Sequence, residues 1–168
     1  MRLLAFTFMC LSLVGGSASA LSCVEWPIEN AYTRAAASEE VFNIFKGRLT
    51  FDQTKVDDFK VYDANDFSSE RHTKSIRINA TVDGYALGKR SFSTGAQVQT
   101  PVILEVGCIF DNCSYVPNDR EIILFTRLEG DDRVAYFDAC GGDSYSLTSE
   151  NEKTLLSCHR GGTCKVKY

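Results

Sequence analysis

The sequence predicts a mainly β domain, closed into a small five-stranded barrel with a short helix near each end and stapled by disulfides. Three observations point there. Apolar residues alternate through the middle of the chain, glycines sit inside or just after those runs, and an even set of cysteines follows an export-type leader. Closure is favoured over a flat sheet because it removes unpaired strand edges; an open sandwich is the structural alternative.

Residues 1–20 read as a cleavable signal peptide. Arg2 supplies the positive start, Leu3–Val14 an apolar run of 12 residues, and Ala18-Ser19-Ala20 the small residues that a signal peptidase accepts. The run falls short of the ~20 residues that span a bilayer, so no stable membrane insertion is expected and the destination is secreted or periplasmic. Removing residues 1–20 from 168 leaves a single domain of 148, residues 21–168, enough for one core. Loss of Arg2 leaves 17 basic against 22 acidic residues, a net charge of −5. These charges are well mixed, with no basic tract, which argues against nucleic acid as a partner.

Cys10 leaves with the leader, and six cysteines remain: Cys23, Cys108, Cys113, Cys140, Cys158 and Cys164. In an oxidising compartment they read as three disulfides, although sequence does not choose among the possible pairings. The pairing adopted joins close neighbours, Cys108–Cys113 and Cys158–Cys164, leaving Cys23–Cys140 as the long staple. Zinc held by the two close pairs, with His159 adjacent, is the competing reading.

The elements follow in order. Glu29–Ala37 is Ala-rich and predicts a short helix. Val41, Phe45, Leu49 and Phe51 share one face of a strand while Phe42 and Ile44 take the other, and Gly47 inside it marks a bend or bulge. Residues 52–72 are polar and read as a long connection with one short strand at Phe59–Tyr62. Ile76, Ile78, Ala80 and Val82 then alternate with polar residues, and Gly84, Gly88 and Gly95 punctuate the next loop. Val98, Thr100, Val102, Leu104 and Val106 form a strand ending at Gly107-Cys108. Glu121–Leu128 is apolar on both faces and reads as a central strand. Gly130-Asp131-Asp132 turns the chain into Arg133–Ala139. Ser149-x-x-Glu152 is a capping box that opens a helix carrying Leu155 and Leu156, which stops before Gly161-Gly162.

A cysteine soon after the leader precedes a short helix and the strand Val41-Phe42-Asn43-Ile44-Phe45-Lys46-Gly47-Arg48-Leu49. Gly107-Cys108 comes ahead of a strong apolar strand, a hairpin ends at Cys140, and a helix leads to a terminal cysteine pair. This order resembles the netrin-like module, an OB-fold barrel, and in particular the N-terminal domain of the tissue inhibitors of metalloproteinases and their bacterial relatives. The resemblance covers most of residues 21–168. It implies export and a protein-binding edge formed by Leu21, Ser22, Cys23, Val24 and Glu25, beside the Cys108–Cys113 loop. In those inhibitors a Cys-x-Cys at the mature N-terminus chelates the zinc of the target through the α-amine and carbonyl of its first cysteine, held rigid by a disulfide. Cys23 matches the second cysteine of that motif, with Cys140 as its partner, and Leu21 stands at the first. Leu21 has an amine but no disulfide to fix it, so zinc chelation is disfavoured while the binding edge is kept. The expected partner is another protein, a metalloprotease among the candidates. A small secreted hydrolase and a structural envelope or matrix protein are the alternatives.

No catalytic residue, metal or cofactor is expected. Gly142-Asp143-Ser144 resembles the nucleophile segment of serine hydrolases, but activation needs a histidine base, and only His72 and His159 exist. A Gly-rich turn is the preferred reading. Asp57, Asp58, Asp63, Asn65, Asp66 and Glu70 gather oxygen ligands without the spacing of a calcium loop, so a solvated acidic loop is preferred. Asn79-Ala80-Thr81 and Asn112-Cys113-Ser114 match glycosylation sequons.

Overall fold

Alternation of apolar side chains sets the architecture. The computed structural model describes residues 26–59, 73–95, 97–109, 112–138 and 141–164. In chain order these form helix α1 (Ile28–Ala37), strand β1 (Phe42–Phe51), the one-turn helix α2 (Thr54–Asp57), β2 (Thr73–Ala86), β3 (Val98–Ile109), β4 (Asn112–Cys113), β5 (Arg120–Glu129), β6 (Asp132–Asp138), β7 (Gly141–Gly142), β8 (Ser144–Ser146) and α3 (Ser149–His159).

Five long strands close on themselves. β1 pairs antiparallel with β2 and β5, β2 with β3, and β5 with β6. The ring is completed where Ile103–Val106 of β3 lie parallel to Val134–Phe137 of β6. The result is the OB-fold type of barrel, and the open-sandwich alternative falls away. Inward-facing Phe45, Leu49, Ile78, Val82, Leu104, Val106, Leu124 and Phe137 fill the interior. Each such side chain, taken wholly out of water, contributes about 1.5–3 kcal/mol of burial free energy.

A second apolar layer lies outside the barrel. Ile44 of β1 with Ile123 and Phe125 of β5 face outward and are covered by Ile28 and Ala31 of α1, Tyr145 of β8 and Leu155 of α3. Ile28, Ala31, Tyr32 and Ala35 recur at helical spacing, which gives α1 a single face to bury. β5, packed on both sides, is buried continuously from Ile122 to Thr126, as its two apolar faces predict. α3 is held down by Lys46, whose ammonium pairs with Glu152 at 2.5 Å and lies 5.0 Å from the Phe92 ring centroid.

Several local expectations change. Gly84 belongs to β2, not to the loop after it, and faces Gly47 across the β1–β2 pair. A Cβ on Gly47 would sit 2.3 Å from the Asp83 carbonyl oxygen, and one on Gly84 would sit 2.0 Å from that of Lys46. The two backbones therefore approach too closely for any side chain. Val41 is exposed ahead of β1 and does not join the inward face. The N-cap of α3 is Thr148, whose hydroxyl accepts the Asn151 N–H, so the box on Ser149 and Glu152 is displaced by one residue. At its other end Gly161 (φ +80°) and Gly162 donate to the Cys158 and Ser157 carbonyls, a Schellman stop. α2 interrupts the polar connection expected over residues 52–72; Asp52 nucleates it by accepting the Thr54 N–H and hydroxyl. Phe59 is outside any strand, and residues 60–62 lie outside the described residues.

Cys108–Cys113 and Cys158–Cys164 are disulfides, so zinc held by these thiolates is ruled out. The first pins β4 against the end of β3, and the second ties the segment after α3 back to that helix. Cys164 in turn lies against Thr33 of α1. Cys23 and Cys140 lie outside the described residues. Among the described residues no helix is long and apolar enough to cross a membrane.

Candidate functional site

One end of the barrel opens into a groove of about 830 Å³. Its walls are the start of α1 with Trp26 ahead of it, the segment after β4 (Tyr115 and Pro117), the start of β5, the end of β6, and β7 with β8. Leu21–Glu25 lie outside the described residues, but Trp26, the next residue, lines the groove. The Cys108–Cys113 hairpin runs directly into Tyr115, which lines it too. Trp26 and Tyr115 thus meet in one cleft. Trp26 is 61% exposed and Tyr115 77%, which is unusual for large aromatic side chains and typical of binding surfaces.

Asp143 supports the groove from beneath. It is 6% exposed and joins three elements: its Oδ2 accepts the Tyr136 N–H of β6 at 2.9 Å, and its Oδ1 accepts from Arg34 of α1 at 2.7 Å. Its own N–H donates to the Tyr136 carbonyl, and its carbonyl accepts from Phe125 N–H of β5. Burial raises the Asp143 pKa, while the Tyr136 N–H and Arg34 pull it down. Burial prevails because the arginine side chain is itself 60% exposed and screened by water.

Behind the groove a charged network braces the β3–β6 seam. Arg77 of β2 bridges Glu105 of β3 and Glu129 of β5, while Arg127 binds Glu129 and stacks on the Tyr136 ring. Hydrogen bonds from Arg127, then Arg77, hold the Glu129 carboxyl down to about 2. Burial and the neighbouring Glu129 carboxylate raise the Tyr136 phenol.

Ser144 and His159 are not hydrogen-bonded to each other. Ser144 forms part of β8, and His159 is committed elsewhere, its Nδ1 to the Tyr32 hydroxyl at 3.2 Å and its Nε2 to the Gly88 carbonyl at 2.7 Å. His72 lies outside the described residues, as do Asp63, Asn65, Asp66 and Glu70. Asp57 and Asp58 are exposed, and no cluster of three or more His, Cys, Asp or Glu side chains forms among the described residues. Asn79 is exposed on β2, whereas Ser114 of the second sequon is buried and donates to the Gly107 carbonyl.

Trp26, Tyr115, Pro117, Arg120 and Ser146 line the groove without belonging to any motif that the sequence displays. The available signals were the chain's single tryptophan three residues after Cys23, and a tyrosine two residues after Cys113. No family model, curated protein or solved structure matches this chain significantly.

Proposed function

We propose that this chain is an exported, non-catalytic protein-binding module of netrin-like type, which grips another protein with the groove end of its barrel. One observation carries the reading: Trp26 and Tyr115, both largely exposed, line the same groove. Rigid aromatics left in water at a cleft are the residues that most often dominate protein interfaces. The two disulfides formed, and the lack of a membrane-crossing helix among the described residues, are compatible with export. A metalloprotease is one candidate partner. Chelation of its zinc is not part of the proposal, since Leu21 rather than a bridged cysteine stands at the first position of the inhibitor motif.

The test is site-specific photo-crosslinking. Benzoylphenylalanine replaces Trp26, Tyr115 or, as a control, exposed Val98 at the start of β3, and the chain is exported from the cells that make it. One discrete adduct from positions 26 and 115, with none from 98, is the expected result. Leu21→Asp combined with Val24→Asp removes that adduct without lowering the melting temperature. Equal labelling from position 98, or no adduct from either groove position, refutes the proposal.

A further inference from the structure

β8 is a strand with one side open. It pairs with β5 in the register Ile122↔Ser146, Ile123↔Tyr145 and Leu124↔Ser144. The flanking bonds run from Phe125 N–H to the Asp143 carbonyl at 2.8 Å and from Leu147 N–H to the Glu121 carbonyl at 3.1 Å. Main-chain groups alternate along an antiparallel pair, so residues 143, 145 and 147 turn theirs toward β5, and Ser144 and Ser146 turn theirs away. The Ser146 carbonyl is used locally by Thr148 N–H and the Asn151 side chain. The N–H and carbonyl of Ser144 and the N–H of Ser146 have no partner among the described residues, and both serines line the groove.

The charges of the groove narrow what fits there. Arg34 is engaged by Asp143, Glu121 by Arg48, and Asp138 is engaged as well. Arg120, at the start of β5, is exposed and has no charged partner among the described residues. Of the two groove arginines, Arg34 is held by Asp143, and Arg120 is left available to a carboxylate. Strand addition supplies main-chain bonds, and a charged side pocket supplies selectivity.

We propose that β8 is a docking edge: an extended acidic segment of the partner protein pairs with Ser144–Ser146 as an added strand, with a carboxylate on Arg120. This rests on the binding-module reading and states how the partner is held. The paired segment runs past Trp26 and Tyr115, which cover its side chains.

Hydrogen exchange on the full exported chain tests the proposal, with a peptide selected on that protein from a random display library as the probe. The Ser144 and Ser146 amides exchange freely in the chain alone and slow about tenfold or more with peptide bound. The emission of Trp26, the only tryptophan, shifts in the same titration. Selected peptides carry Asp or Glu among β-branched residues, and Arg120→Glu weakens them about tenfold. Methylating alternate peptide amides abolishes binding in one register and spares it in the other. Protection of both amides in the free chain would mean that its own residues cover the edge, and the proposal fails. It fails too if no peptide is selected, or if bound peptide leaves both amides exchanging freely. If it fails while crosslinks form at positions 26 and 115, strand addition is wrong and the binding module stands; if the crosslinks are missing as well, both fall.

Discussion

A carboxylate taken out of water loses more than a single exposed arginine returns, and Asp143 follows that rule: burial raises its pKa although Arg34 is 2.7 Å away. Its structural worth lies in accepting the Tyr136 N–H, since that donor would otherwise be left without a partner under the groove. Asp143→Ala should therefore cost about 1–3 kcal/mol in urea unfolding, and Arg34→Ala less than about 1. Equal losses would show that the ion pair, not the main-chain bond, matters. Gly47 and Gly84 give a second comparison at this scale. Either glycine changed to alanine forces a Cβ into the opposite backbone, and a loss of at least about 2 kcal/mol is expected. Gly130→Ala, at an open turn, should cost about 1 kcal/mol. Gly47 could be read as a bend because it interrupts an apolar run. Gly84 could not, because its reason is the strand across from it and nothing in its own neighbourhood.

Elements were legible where one face decides them and displaced where a neighbour does. The Ala-rich run Glu29–Ala37 marks α1, whose buried face proves to be Ile28, Ala31, Tyr32 and Ala35, and the alternation of Ile76 to Val82 fixes the middle of β2. The cap of α3 falls on Thr148, one residue before the Ser149-x-x-Glu152 box, although serine is the better cap by residue type. What separates them is distant: Glu152, which should reach back to Ser149, is held instead by Lys46. Thr148→Ala should thus lower stability by about 1 kcal/mol and Ser149→Ala by less than about 0.5, compared by thermal unfolding. The reverse order would restore the capping box. At the far end of the same helix, Cys158 and Cys164 close a short loop. Replacing both by serine should cost about 2 kcal/mol, and the Thr33 amide on α1 should exchange faster because the tail no longer rests there. Unchanged exchange at Thr33 would mean that the tail is held without its bridge.

At the scale of the whole molecule, the barrel was legible because β1, β2 and β3 alternate apolar with polar residues, while β5, apolar on both faces, reads as central. The parallel β3–β6 seam and the groove were not, since both are made by residues that meet only after closure. The seam is also where pH acts on the fold. Glu129 falls from 4.5 to about 2 in the native state, so the stability it contributes is complete above about 4.5 and is lost as pH drops toward 2. Asp143 works in the opposite direction: its raised pKa means that protonation relieves the folded state, so acidification through its range favours folding. Stability should therefore hold as pH falls toward about 4.5, then decline through the Glu129 window, with Asp143 acting in the opposite sense. Glu129→Gln should be less stable than wild type at pH 7 and show a flatter decline between about 4.5 and 2, and salt should narrow the gap because the network is partly exposed. Urea midpoints measured from pH 7 to pH 2 for both proteins decide this. Parallel curves down to pH 2 would mean that the Arg77–Glu129–Arg127 network adds nothing to closure, and that apolar packing of β3 on β6 holds the seam alone.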